Sequence, residues 1–157
     1  MKKEPMTSAG YTRLEEELKR LKSVERPAIS RALSEAREMG DISENAEYHA
    51  AKERQGFVEA RMAQLGEKLR QAEVIEITKL SGKEVKFGAT VRLADEDTGD
   101  RQTYQIVGVD EADIKSGRVS VTAPLARALI GRKKGESFEV TTPRGSKSYK
   151  IINVKYV

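Results

Sequence analysis

Between residues 58 and 72 the apolar side chains recur at intervals of four, three, four and three: Val58, Met62, Leu65, Leu69 and Ala72. That rhythm lines them up along one seam of a helix and leaves the other faces to Glu, Lys, Arg and Gln. A seam this narrow cannot fill a globular core and is too apolar to face water, so it needs a matching seam elsewhere in the chain. The match lies upstream. In "YTRLEEELKRLKSVERPAISRALSEAREM" (11–39), Leu14, Leu18 and Leu21 begin a stripe that Ala28, Ala32 and Leu33 continue. Pro27 interrupts this first helix, so a kink or short break is expected near Val24–Arg26. The second helix is expected over 44–77. Only a few residues around Gly40 join the two patterns, which forces them antiparallel. The expectation is a two-stranded coiled-coil hairpin, each helix on the order of 40–50 Å long. It has little core, and small alanines pack it closely near its tip. Its most protruding point is the turn at Gly40–Glu44.

That turn reads "EMGDISENAEYH" (38–49). Gly40 suits the end of the first helix. Asp41-Ile42-Ser43-Glu44 fits a capping box, with Asp41 as N-cap and Glu44 three residues on. A cap of this kind is worth about 1 kcal/mol, and acidic groups suit the positive end of the second helix. The same spacing also puts two carboxylates at an exposed apex. Two are too few for a complete Mg²⁺ site, which takes six oxygens and commonly one or two carboxylates plus waters and phosphates. They would suffice to complete a site that another molecule has half built. Spacing alone leaves both readings open, and the two are compatible. Glu47, one turn further on, reads as a stalk residue in a dipole or pairing role. His49, the single histidine, has no partners at ligand spacing and reads as a solvated helix residue.

After Thr78 the pattern changes. "KLSGKEVKFG" reads as a linker running into a strand; "ATVRLAD" and "RQTYQIVGV" alternate with period two around the turn "DEDTGD". "GRVSVTA" is a further strand, "PLARALIG" a short helix opened by Pro124 and closed by Gly131, and "SFEVTTP" and "SYKIINVKYV" a final hairpin across "RGSK". The fold class is therefore α+β: a helical hairpin (1–78, tip at 40–44) followed by a small antiparallel-sheet domain (79–157).

Composition narrows the function. Aromatic residues are 5% of the 157, Trp is absent, 34% are charged and mean hydropathy is −0.61, which suits a soluble, elongated chain with much solvated surface. With no Cys, disulfides and thiolate zinc sites are excluded. "MKKEPM" is followed by no apolar signal region, and no apolar run approaches a membrane span, so a cytoplasmic protein is expected. Residues 1–78 hold 14 Lys/Arg against 15 Asp/Glu, a net of −1; residues 79–157 hold 15 against 10, a net of +5. That excess fits either nucleic acid or an acidic protein surface. "GRKKGE" lacks the spacing of a phosphate-binding loop.

"GDISENAEYHAAKERQ" (40–55) resembles the tip motif of the GreA/GreB transcript cleavage factors of bacterial RNA polymerase. "PMTSAGYTRLEEELKRLKSVERP" resembles that family's first helix, and "FGATVRL", "YQIVGVDEAD" and "APLARALIG" its C-terminal domain, so the likeness runs from Pro5 to Tyr156. The mixed signs along the stalk resemble the GreA branch rather than the more basic GreB branch. The resemblance implies a coiled coil that enters the secondary channel of a backtracked polymerase and an FKBP-like C-terminal domain that docks at the channel entrance. Asp41 and Glu44 match the family's essential acidic pair, which shares Mg²⁺ with the polymerase active centre and orients the attacking water. The polymerase then cleaves its nascent transcript and elongation resumes from the new 3′ end. Arg37 and Lys52 match a small basic patch near the RNA 3′ end. Asn45 and Tyr48, in the same motif, shape the tip or touch nucleic acid. The docking segment is 120–131, with Ala123 where the family usually has Ser, followed by Pro124 and Leu125. The implied protein is no enzyme itself, binds no metal tightly when free, and is expected to be a monomer. Prolyl isomerase activity is not expected, because such pockets are rich in aromatics and this domain has only Phe87, Phe138, Tyr104, Tyr149 and Tyr156. The alternative is an inhibitory relative that occupies the same channel without promoting cleavage; the intact acidic pair argues against it.

Overall fold

The computed structural model describes residues 3–41 and 44–157. Ile42 and Ser43, the middle of the expected capping box, lie outside the described residues. Contacts divide the chain into two compact units: Tyr11–Ala72, and the segment up to Gly10 together with Glu73–Val157.

In the first unit the expected long helix is three pieces: α1 (Ser8–Arg20), a π-helical turn (Leu21–Glu25) and α2 (Arg26–Glu38). The break falls where Pro27 requires one. Pro27 is the second residue of α2; it has no N–H to lose, and the wide turn before it leaves room for the ring. The Arg26 amide donates to the Leu21 carbonyl, five residues back. This turn has a consequence for packing. A π turn carries one more residue than an α turn, so everything beyond it is rotated by one position, roughly 100°. The buried residues of α2 are accordingly Ile29, Leu33 and Ala36, and the expected Ala28 and Ala32 are exposed.

The partner helix, α3 (Ala46–Gln71), buries Ala51, Val58, Met62 and Leu65. Ile29, Leu33, Ala51, Val58 and Met62 form one cluster, against which Leu18, Leu21 and Tyr48 pack. Ion pairs run along its edges. Glu25 takes Arg20 at 3.1 Å and Arg54 at 2.5 Å; Arg26 holds Glu59 at 2.9 Å. The Arg61 guanidinium donates to both oxygens of Glu17, at 2.6 and 2.9 Å. That hydrogen bonding holds the Glu17 carboxyl below the usual carboxylate range, and Arg26 does the same to Glu59.

The expected second helix ran to residue 77, but α3 stops at Gln71 and the chain continues as β2 (Ala72–Ile75). Val74 and Ile75 are β-branched and fit a pleated strand better than a helix. β2 pairs with β1 (Glu4–Thr7), a strand before the first helix that the sequence reading did not include.

The second unit holds a five-stranded sheet in the order β5-β4-β3-β7-β6, with β3 (Thr90–Asp95), β4 (Arg101–Val107), β5 (Arg118–Ser120), β6 (Ser137–Thr142) and β7 (Gly145–Lys155). The pairs are antiparallel except β4 with β5, which is parallel. One face carries Val91, Leu93, Ile106, Val119, Phe138, Val140, Ile151 and Val154, and α4 (Pro124–Leu129) adds Ala126 and Leu129, both fully buried. The α+β class read from the sequence is the one observed.

A buried carboxylate ties the start of the chain to this unit. Glu111 is 6% exposed, and its Oε2 accepts from the Thr7 amide at 3.0 Å and the Gly108 amide at 2.9 Å. The Thr7 hydroxyl donates to Oε1 and accepts from the Gly10 amide at 3.0 Å, which caps the first turn of α1. A Cβ at Gly10 would collide with the Glu111 carboxylate, so this position needs glycine.

Candidate functional site

The turn between α2 and α3 is built by three local devices. Met39 closes α2, its amide donating to the Ala36 carbonyl at 3.1 Å, and Gly40 turns the chain at φ +128°, a conformation open to glycine and strained for other residues. The third device is Asn45. Its Oδ1 accepts from the Tyr48 amide at 3.0 Å, so Asn45, and not Asp41, is the N-cap of α3. The expectation that Asp41 is the N-cap of the second helix is thereby corrected. The cap sits four residues later, because Asn45 leaves the helix with extended dihedrals (φ −86°, ψ 99°) and its short amide reaches the third amide ahead. Its Nδ2 donates to the Ala36 carbonyl at 2.6 Å. One side chain thus satisfies an orphan donor of α3 and gives the Ala36 carbonyl of α2 a second hydrogen bond beside that from Met39, fastening the two helix ends together.

The first amides of α3 are thus capped by Asn45. Asp41 and Glu44 are exposed, and both line an open depression with Met39, Asn45, Ala46 and Glu47. Two or three carboxylates around one concavity make a negative pocket suited to a hard cation or to orienting water. Among the described residues no cluster of three or more His, Cys, Asp or Glu is placed to hold a metal ion.

Beside the depression, the Arg37 guanidinium lies 5.7 Å from the Tyr48 ring centroid, in cation–π range. Tyr48 in turn meets the His49 ring edge-on at 5.8 Å. The Lys52 ammonium reaches Gln55 at 3.4 Å. Arg37 and Tyr48 therefore act as one stacked unit, a pairing not read from the sequence, although their spacing across a short turn permits it.

The other candidate segment is at the start of α4. Ala123 is its N-cap and offers no side-chain cap, and Pro124 follows at the first helical position. Ala123, Pro124 and Leu125 line an apolar pocket of about 290 Å³ together with Ile114, Val119, Val140 and Tyr149. The pocket contains one aromatic ring, that of Tyr149.

Residues 4–74 match the family model described as transcription elongation factor, N-terminal, and residues 80–156 match transcription elongation factor, GreA/GreB, C-term. The chain belongs to the GreA/GreB family. The expectation drawn from the tip motif and the C-terminal segments is thus met over the whole length. Among its GreA/GreB relatives, the transcription elongation factor GreA of Caulobacter sp. (strain K31) is 59% identical over 157 residues, all of both chains. That of Phenylobacterium zucineum (strain HLK1) is 60% identical over the same span. The crystal structure of GreA factor homolog 1 (Gfh1) of Thermus thermophilus is 29% identical and covers 98% of this chain and 99% of its own, at a TM-score of 0.44. No helix among the described residues is long and apolar enough to cross a membrane.

Two further features of this GreA/GreB chain escaped the sequence reading: the Asn45 bridge and the Glu111 anchor. The first had a signal, since Asn three residues before Tyr48 opens the uninterrupted helical pattern. The second had none, because Glu111 meets Thr7 across 104 positions.

Proposed function

We propose that this protein is a cytoplasmic transcription elongation factor that acts on bacterial RNA polymerase. In this reading the helical hairpin enters the secondary channel of a backtracked complex, and its turn reaches the active centre. The observation that carries the reading is the exposed pair Asp41 and Glu44, which line one open depression at the turn. A free-standing hairpin needs neither carboxylate there.

The chain is an accessory factor rather than an enzyme. Asp41 and Glu44 supply oxygens that complete the coordination of a Mg²⁺ held mainly by the polymerase, and they accept hydrogen bonds from the attacking water. When bound, the metal lowers the pKa of that water and stabilises the leaving oxygen. The Asn45 bridge fixes where the carboxylates stand, and an error of ~1 Å at such a site costs on the order of 10²-fold in rate. Arg37, steadied by Tyr48, and Lys52 offer positive charge to the phosphates at the RNA 3′ end. The apolar pocket at Ala123, Pro124 and Leu125 takes a docking contact from the polymerase.

The test uses purified polymerase stalled in a backtracked complex with Mg²⁺. The parent protein releases a 3′ RNA fragment. Asp41→Ala and Glu44→Ala each reduce cleavage on the order of 10²-fold or more while retaining polymerase binding and thermal stability. Normal cleavage by both variants sinks the reading. Full binding without cleavage by the parent protein would mark it as an inhibitory relative instead. RNA cleavage by the isolated protein would also overturn the accessory role.

A further inference from the structure

The register of the sheet sorts its side chains into rows. On the face opposite the core, Ala94 stands beside Arg101 on β4 and Lys150 on β7, with Ser137 of β6 continuing the row. The next row is Thr103, Arg92 and Asn153, and the one after it Gln105, Thr90 and Lys155. Arg92, Arg101, Lys150 and Lys155 are all exposed, while their strand neighbours Val91, Leu93, Ile151 and Val154 are buried beneath the sheet. Strands lie about 4.8 Å apart and residues of one row are two positions from the next, so Arg101 and Lys150 flank Ala94 about 10 Å apart, with Arg92 about 7 Å further along β3. None of the four cations has an ion pair or side-chain hydrogen bond among the described residues. The row beyond Ser137 and Lys150 carries two carboxylates, Glu139 opposite Ser148 on β7 and Glu96, whose amide donates to the Ser148 carbonyl at 2.9 Å.

From this face we infer a second binding surface: a sequence-independent contact for the phosphate backbone of double-stranded nucleic acid. Three observations choose the occupant. Four unpaired cations on adjacent strands repel one another and are complementary to a dense line of negative charge, of which duplex DNA carries one per ~1.7 Å of axis. Their neighbours are Thr90, Thr103, Gln105, Ser137 and Asn153, the hydroxyl and amide side chains that donate to phosphate oxygens. The face also lacks what other occupants need. Its rows hold no aromatic ring on which a single-stranded base would stack. Apart from Ala94, and Ile152 half-buried at the β7 bulge beside Asn153, they are polar or charged, whereas protein interfaces centre on aromatic residues and exclude Lys. This surface includes neither Asp41 nor Glu44 and does not depend on the cleavage role.

The test is titration of a fluorescently labelled, mixed-sequence duplex DNA with the full-length protein at increasing salt. Four phosphate contacts predict a log–log slope of about −3 to −4, so each doubling of salt weakens binding about tenfold. Arg92→Ala and Lys150→Ala each reduce the slope by about 1. The fourfold variant Arg92→Ala, Arg101→Ala, Lys150→Ala, Lys155→Ala loses binding, and Glu139→Ala tightens it. All five positions are exposed, so circular dichroism and melting stay at parent values. Absence of binding at the lowest salt, or a slope the fourfold variant does not change, overturns the inference. Poly-glutamate binding as tightly as the duplex would do so too, assigning the face to an acidic protein. Polymerase is absent from the assay, so either failure leaves the elongation reading untouched.

Discussion

The two units reach stability by different means. In the sheet unit, Val85, Ala89, Val91, Ile106, Ala126 and Leu129 are 0% exposed, enclosed by strands on one side and by α4 and its loops on the other. In the helical hairpin most of the cluster retains some contact with water, with Leu33, Ala51, Val58 and Met62 each 8–9% exposed, and ion pairs line its edges. Two helices have no third layer to seal their seam. The difference teaches where each unit is vulnerable. The sheet depends on apolar volume, whereas the hairpin depends on register, held by a seam, a π turn and an asparagine.

The sharpest way to break this comparison is one substitution made in both places. Leu93→Ala in the sheet should cost about 3–5 kcal/mol and Leu33→Ala in the hairpin about 2–3 kcal/mol, because a two-helix seam that already meets water closes over a cavity more readily than an enclosed core does. Urea unfolding measures both, and equal costs would remove the distinction. A smaller effect tests register. Asn45→Ala should cost about 1 kcal/mol, yet lower transcript cleavage well beyond the loss of folded protein, since the turn that carries Asp41 and Glu44 is no longer pinned to Ala36. Loss of stability with unchanged cleavage would make Asn45 a cap and nothing more.

The smallest effect concerns the edge ion pairs. The Glu17 carboxyl is depressed in the folded chain by Arg61, so its contribution is present above the unfolded carboxylate pKa of about 4.3 and is lost as pH falls through the lower folded value. Glu17→Gln should therefore be less stable than the parent by at most ~1 kcal/mol at neutral pH and converge with it in acid. Melting temperatures across that range check the sign, and a gap that widens in acid would contradict it.

How much was legible depended on the distance over which each feature is decided. The seam of α3 could be read from Val58, Met62 and Leu65 because helical periodicity is local. The seam of α2 was read correctly at Leu33 but placed on the exposed Ala28 and Ala32 where Ile29 and Ala36 are buried, since the π turn that shifts its phase leaves Pro27 as its only trace in the sequence. At the turn, Asp41 and Glu44 could be singled out, but which residue caps the helix could not. Asp, Ser and Asn all cap well, and the choice is made by the path of the backbone after Gly40. The alternation in β3 and β7 announced strands, whereas the parallel pairing of β4 with β5 depends on the intervening loop and has no periodic signature.

The Glu111 anchor has a further meaning for a chain that is made from one end. At roughly 5–20 residues per second, the 104 positions between Thr7 and Glu111 take the ribosome about 5–20 s. The hairpin, whose contacts are nearer in sequence, can zip up in that interval. The opening residues can only wait beside it, with Thr7 short of the carboxylate it needs. The first segment to be synthesised is thus among the last to be fixed.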